Sequence, residues 1–391
     1  MNVLVVGAGM YVSGRGTSAP GTVLASLAQA SRELPIESVT VVARNPENAG
    51  HISRTLENLN TRLGTRLTCT YRPIDGDRMR SELPSIMRDT PFDCAIVSTP
   101  DDTHYAIVGA LIEMKVPVLV VKPFVDSLED GIALVRKARD TNCYGAVEFH
   151  KRFDESNRYA KRVIGDGTLG DLLYITVDYS QRVTIPTTLF RSWAHRTNVF
   201  QYLAVHYVDL VYYMTGYRPV RLTATASETL LKGLGIDTPD SIHVTIQWES
   251  ADNASRLISV INTNWIDPDS TSAMSDQRMT IVGTKGRLDC DQKHRGIEQV
   301  TSDGGSQHVN PYFAEFLATD LGIQEFSGYG YRSIRRFIED VGNLAAGTTT
   351  IEELDRSRPS FRQALVSTAV TDTVGRALDG PPRWLEIPPV G

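Results

Sequence analysis

The first nine residues constrain this chain more than any other stretch of it. Asn2-Val3-Leu4-Val5-Val6 is a short apolar run that passes directly into Gly7-Ala8-Gly9. A strand that is apolar on both faces reads as a central parallel strand with helices above and below it. Gly-x-Gly at its end makes a tight turn and lets the backbone approach a pyrophosphate, so the segment predicts the opening of a dinucleotide-binding domain. Val12 stands where the third glycine of G-x-G-x-x-G is expected. That glycine serves close helix–strand packing and is the least costly of the three to lose. Residues 11–20 therefore read as an enlarged phosphate loop that places Ser13, Arg15 and Thr17 within reach of a cofactor. The helix is displaced downstream to residues 21–34, where Val23, Leu24, Leu27 and Ala28 recur at helical spacing.

The same rhythm continues. Residues 39–43 and 92–99 are β-branched runs, the second stopped by Pro100, and residues 116–121 form another before Lys122-Pro123. Helical patterns over 103–114 and 127–141 and a strand over 144–149 complete a βαβα succession, the pattern of a parallel sheet wound by right-handed crossovers. After residue 151 come a helix over 158–165, a strand over 172–180 and a long apolar helix over 199–215. Strands over 220–227, 241–249, 255–265, 278–282 and 286–290 then follow without intervening helices, which predicts a mostly antiparallel sheet. Helices over 332–344 and 360–378 and a proline-rich surface tail over 381–391 close the chain. The expected fold class is α/β: a Rossmann dinucleotide-binding domain over 1–124, then an α+β domain with a large, mostly antiparallel open sheet over 125–391, for substrate and oligomerisation.

Composition removes several alternatives. With 391 residues, 41% hydrophobic and 22% charged, the chain has the make-up of a globular protein of two domains. No segment approaches the roughly 18 apolar residues of a membrane span, and no basic region precedes the first apolar run, so neither a membrane partner nor a cleaved signal peptide is expected. Cys69, Cys94, Cys143 and Cys290 are scattered, with no C-x-x-C pair. This speaks against a disulfide framework or a metal site and for a reducing cytoplasm. A net charge of −6 without a long basic run gives no attraction for nucleic acid.

Gly7-Ala8-Gly9, residues 97–104 (Val-Ser-Thr-Pro-Asp-Asp-Thr-His), Lys122-Pro123, residues 148–153 (Glu-Phe-His-Lys-Arg-Phe) and residues 166–170 (Asp-Gly-Thr-Leu-Gly) occur in that order. This succession resembles the glucose-fructose oxidoreductase and inositol dehydrogenase (Gfo/Idh/MocA) family. The resemblance implies a substrate domain set over the nicotinamide and a homodimer or homotetramer formed through its outer face. It also implies that Gly7, Gly9, Met10 and Tyr11 line the phosphate turn and that Thr99, Pro100 and His104 lie near the cofactor. A proline at a strand's carboxyl end turns the chain where such sheets bind ligands.

The family motif Glu-Lys-Pro places its lysine beside the reacting hydroxyl and the nicotinamide. Here Val121 replaces the glutamate while Lys122 and Pro123 remain. An ammonium at that position hydrogen-bonds the substrate oxygen, stabilises a developing alkoxide and relays a proton. The family's D-x-G-x-H-x-x-D corresponds to residues 202–209, in which His206 and Asp209 match and Tyr202 replaces the first aspartate. Spacing i, i+4 puts Tyr202 and His206 on one helix face. His206 suits removal of the hydroxyl proton near neutral pH, and Tyr202 either bonds the substrate or assists it.

At the end of the second strand Ala43-Arg44-Asn45 has no carboxylate to hold a ribose 2′-hydroxyl. Arg44 favours the 2′-phosphate of NADP, with NAD possible if the guanidinium instead stacks on adenine. His150, Arg152, Arg191, Trp193 and His195 combine cations with an aromatic face, which suits an anionic sugar such as a sugar acid, sugar phosphate or nucleotide sugar. The expected activity is NAD(P)-dependent interconversion of a secondary hydroxyl and a ketone on a small-molecule sugar or polyol. An imine or double-bond reductase, and a non-catalytic dinucleotide sensor, are the alternatives.

Overall fold

In the computed structural model, which describes residues 1–17, 19–74, 78–320 and 322–390, the apolar run at the N-terminus is strand β1 (Asn2–Val6). Ser18 in the phosphate loop and Gly391 in the tail lie outside the described residues. β1 pairs in parallel with β2 (Ser38–Ala43) on one side and β4 (Cys94–Val97) on the other. With β3 (Thr68–Pro73), β5 (Val118–Val121) and β6 (Gly145–Glu148) these make a six-stranded, all-parallel sheet in the order β3-β2-β1-β4-β5-β6. The order reverses between β1 and β4, and ligands of such sheets bind outside the carboxyl ends at that switch point. β3 escapes a pattern reading because it is a half-exposed edge strand of polar sequence, Thr-Cys-Thr-Tyr-Arg-Pro.

Helices α1 (Met10–Ser13), α2 (Val23–Ala30), α3 (Asn48–Leu63), α4 (Met79–Asp89), α5 (His104–Glu113) and α6 (Leu128–Thr141) alternate with these strands. Val3, Val5, Val39 and Val41 meet Leu24, Leu27, Leu56 and Leu59 in one core. Burying each such side chain contributes about 1.5–3 kcal/mol. The segment Tyr329–Ala345 joins this core through Ile334, Phe337, Ile338 and Val341, a helical stripe of i, i+3, i+4, i+7.

That packing interleaves the units along the chain. The first comprises residues 1–125, 129–153 and 312–364, and the second residues 126–128, 154–311 and 365–391. A single boundary after residue 124 leaves out this return, because a helix pattern shows that a face is apolar but not which sheet it covers.

The second unit carries α7 (Glu155–Gly165), β7 (Leu172–Arg182), α8 (Val205–Thr215), β8 (Arg218–Ser227), β9 (Ser241–Glu249), β10 (Arg256–Asp267), β11 (Ser275–Gly283) and β12 (Gly286–Asp291). Its sheet runs β12-β11-β7-β10-β9-β8 and ends on the short strand Leu385–Glu386. Only the central β7/β10 pair is parallel, so the sheet is mostly antiparallel as expected. Alternation is clear in β10, where Leu257, Ser259, Ile261, Thr263 and Trp265 are buried and the residues between them are not. The other face is polar. His243 Nδ1 lies 3.0 Å from Asn262 Oδ1, and Asn262 Nδ2 donates to Asp178 Oδ1 at 2.8 Å, across three adjacent strands.

The tail is largely exposed, as expected, and is anchored by one short edge strand. Leu385 and Glu386 pair with β8, the Ile387 amide donates to the Val220 carbonyl at 2.8 Å, and Ile387 is buried. Residues 301–305 close an exposed hairpin, Ile297–Thr301 with Gly305–Val309. Among the described residues no helix is long and apolar enough to cross a membrane.

Candidate active site

The phosphate turn shows why its glycines stand where they do. Gly7 adopts φ +113°, and a Cβ there would meet the Ser98 carbonyl oxygen at 2.0 Å, so only glycine fits. A Cβ at Gly9 meets nothing within 4 Å, which leaves open space beside the backbone where a diphosphate would approach. These features fit a dinucleotide. Met10 and Tyr11 begin α1, a single helical turn that Gly14 ends at φ +73°. A loop intervenes before α2, and the Thr22 amide returns to the Tyr11 carbonyl at 2.7 Å. The expected continuous loop over 11–20 is thus one helical turn plus an insertion. Within it Ser13 Oγ donates to the Ala8 carbonyl at 3.2 Å and Thr17 Oγ1 to the Gly14 carbonyl at 2.9 Å. Both hydroxyls brace the loop, while Arg15 is exposed.

Arg44 is exposed at the end of β2. The Tyr71 hydroxyl donates to the Asn45 carbonyl and holds this corner. Burial raises the Tyr71 phenol above its ordinary pKa, while a hydrogen bond with Asn48 and the charge of Arg15 oppose the rise. Arg15 therefore acts electrostatically on the β2 corner that Arg44 ends.

Thr99 and Pro100 follow β4, and Thr103 Oγ1 donates to Thr99 Oγ1 at 2.7 Å. His104 is buried, with Nδ1 2.9 Å from the Pro123 carbonyl and Nε2 3.0 Å from the Thr99 carbonyl. Its ring ties the turn after β4 to the turn after β5.

Lys122 ends β5 next to a cis peptide at Pro123. The residue is half-buried, and desolvation of its ammonium lowers the pKa to about 8, with Asp101 and Glu148 opposing the fall. Neither carboxylate was among the expected site residues. Asp101 sits in the helical turn after Pro100 and is 5% exposed; Glu148 ends β6 and is 0% exposed. The available signal was a carboxylate one residue past Pro100 and another at the end of an apolar strand. Neither discloses a neighbour.

Glu148 Oε2 lies 2.9 Å from His150 Nδ1, and the Tyr11 hydroxyl is 3.5 Å from the same nitrogen. The His150 ring stacks on Tyr329 with centroids 5.6 Å apart and meets Phe313 at 5.1 Å. Burial, and then the Glu148 charge, hold the Tyr11 phenol well above its ordinary pKa. Arg152 is buried and donates to Gln363 Oε1 at 2.5 Å, so this cation is built into its own unit.

In the second unit His206 is 4% exposed near the start of α8. The expected helix over 199–215 is not uniform. Residues Phe200–Ala204 form a wide π-helical turn before α8, so Tyr202 sits in the π-helical turn and His206 in the first turn of α8. The Tyr202 ring meets Phe190 edge-on with centroids 4.8 Å apart, and Phe190 meets Trp193 at 4.4 Å. Arg191 and His195 line a cavity of about 330 Å³ with Gly235, Ile236 and Asp237. The loop thus brings two expected cations to one cavity and puts the aromatic residue into a separate cluster with Tyr202.

Residues 1–149 match the profile of the oxidoreductase family with an NAD-binding Rossmann fold, and residues 157–289 that of the GFO/IDH/MocA C-terminal domain. The inositol 2-dehydrogenase of Rhizobium meliloti (strain 1021) is 23% identical over 312 residues, covering 79% of this chain and 83% of the relative. A Bacillus subtilis (strain 168) protein named scyllo-inositol 2-dehydrogenase (NADP(+)) is 26% identical over 168 residues, 43% of this chain and 46% of the relative. The crystal structure of scyllo-inositol dehydrogenase from Lactobacillus casei with bound NAD(H) and scyllo-inositol has a TM-score of 0.67 at 14% identity, covering 99% of each chain, a likeness of fold. The parallel dinucleotide sheet, its glycine turn, the second mixed sheet and the two successive profile matches together establish that this chain belongs to the Gfo/Idh/MocA family of NAD(P)-dependent oxidoreductases.

Proposed function

We propose that this protein interconverts a secondary hydroxyl and a ketone on a sugar-like polyol, with Lys122 and His206 handling the proton. The observation that carries this reading is Lys122, a lysine at the carboxyl end of β5 with its pKa lowered to about 8 and two carboxylates acting on it. When bound, the nicotinamide supplies hydride transfer. Lys122 holds the substrate oxygen and stabilises negative charge on it, His206 takes or returns the hydroxyl proton, and Tyr202 bonds the substrate beside it. Relatives named as inositol and scyllo-inositol dehydrogenases support a polyol substrate. Arg191 and His195 on one cavity support an anionic group on it, with Asp237 on the same cavity to receive a hydroxyl.

NADP is the preferred cofactor in this reading. Arg44 is exposed at the β2 end, Arg15 acts on the same corner, and Ala43-Arg44-Asn45 contains no carboxylate. A homodimer or homotetramer in the cytoplasm completes the proposal, formed through the polar face of the second sheet. The test is nicotinamide absorbance with purified protein, NADP⁺ or NAD⁺, and a panel of inositols, sugar acids and sugar phosphates. Turnover that Lys122→Ala abolishes supports the reading. Tight NADPH binding without turnover on any member of the panel overturns it in favour of a sensor.

A further inference from the structure

The β5–β6 pair contains a carboxylate whose position is not explained by packing. Glu148 is the residue directly beside Val121 in the parallel register. Laterally paired residues project to the same face of a sheet, on strands about 4.8 Å apart. A carboxylate at 148 therefore issues from the same face as a side chain at 121, one strand over. Glu148 is fully buried, and burial of a carboxylate is costly unless it is bonded or faces a cation. Its Oε2 is held by His150. Its Oε1 has no hydrogen-bond partner among the described residues. Of the two carboxylates whose charge favours the ammonium of Lys122, the residue after Val121, Asp101 acts more strongly and Glu148 is the one on the adjacent strand.

We propose that Glu148 is the positioning residue for Lys122, supplying from the adjacent strand the carboxylate that Val121 lacks, with His150 fixing its orientation. The proposal rests on the functional reading of Lys122 given above. His150 orders the carboxylate through Nδ1 and is itself packed against the rings of Tyr329 and Phe313, so Glu148 cannot swing freely. The groups acting on this pair are Asp101 from the turn after β4, Tyr11 from α1, and His150 and Tyr329 around the carboxylate. The role is one of aim and charge. With Glu148 present the ammonium has a fixed anionic neighbour and a defined direction, and without it Asp101 alone remains.

Two readouts on the full-length protein test this, one of which needs no ligand. ¹⁵N-lysine NMR, with the Lys122 signal identified by Lys122→Arg, follows its titration in the wild type and in Glu148→Gln. The expected result is that Lys122 titrates at lower pH by about 1 unit in Glu148→Gln. With NADP⁺ and an inositol turned over by the wild type, kcat falls about tenfold to a hundredfold while KM for NADP⁺ stays within about threefold. The double variant Val121→Glu/Glu148→Gln returns the carboxylate to the neighbouring strand and recovers most of the lost kcat. A purely structural role for Glu148 would not predict that rescue.

An unchanged Lys122 titration and kcat in a folded Glu148→Gln protein overturns the proposal, as does failure of the folded double variant to recover either readout. Should Glu148→Gln not fold, Glu148→Asp preserves the charge and is expected to keep Lys122 titrating near its wild-type pH. A Lys122 titration in Glu148→Asp as low as that of a chain lacking the carboxylate overturns it equally. If the wild type turns over no polyol, the functional reading fails, and the NMR titration still decides whether Glu148 governs Lys122.

Discussion

A methyl group on Gly21 would sit 2.5 Å from the backbone nitrogen of Gly14, so the two ends of the inserted phosphate loop close on each other through glycine alone. Gly21 takes φ +79° and Gly14 φ +73°, conformations that side chains rarely adopt. Gly21→Ala is expected to destabilise the protein by about 1–3 kcal/mol, read as a fall in Tm. Gly9→Ala meets open space and is expected to leave Tm unchanged while raising KM for the dinucleotide tenfold or more, an order of magnitude taken from the close approach that Gly9 permits. Equal thermal effects of the two would contradict this division of labour.

The pH dependence of ketone reduction follows from Lys122. Its folded pKa is lowered to about 8 chiefly by desolvation, so the ammonium is complete below that pH and is lost as pH rises through it. Reduction needs a donor to the new hydroxyl oxygen, and kcat in that direction should fall on the alkaline side with an apparent pKa near 8. A flat profile from pH 7 to about 10 in steady-state kinetics would rule out an essential ammonium.

Arg44→Ala should weaken NADP⁺ binding by about tenfold to a hundredfold, the worth of a charge-assisted hydrogen bond, and NAD⁺ by less than about threefold. Arg15→Ala should act in the same direction and more weakly, since Arg15 reaches the β2 corner through its charge on Tyr71. Isothermal titration with both dinucleotides distinguishes these outcomes. Equal losses for NAD⁺ and NADP⁺ would mean that Arg44 serves adenine instead.

Arg358 grips buried Asp340 through Nε at 2.6 Å and Nη2 at 2.9 Å. Removing one partner of such a pair leaves an uncompensated buried charge, so Arg358→Ala should cost about 3–5 kcal/mol in denaturant unfolding at neutral pH. Arg139→Ala, whose neighbour Asp140 is exposed, should cost less than about 1 kcal/mol. A small effect at Arg358 would show that Asp340 finds water or another donor.

Much of the architecture was legible because its signals are local. The apolar runs that became β1, β2, β4 and β5 are each followed within a few residues by glycine or proline, and β8 to β12 carry period-two alternation. Edge strand β3, half-exposed and polar, carried no such signal. Lys122 stood out because a cation after an apolar strand and before proline is chemically conspicuous. His104 and Arg152 were equally visible as residue types, but their bonds to two backbone carbonyls and to Gln363 were not. The π-helical turn that carries Tyr202 left no mark in the spacing of the sequence.

The sequence by itself determined the parallel dinucleotide sheet, the later mostly antiparallel one, the glycine turn and the lysine at the end of β5, since each depends on residue type and short-range periodicity. Tertiary structure alone decided that residues 312–364 return to the first unit, that Gly21 closes on Gly14, and that Glu148 stands beside Val121. Periodicity reports which face of an element is apolar. Strand register and burial are settled only when distant segments pack, and those two determine which carboxylate Lys122 meets.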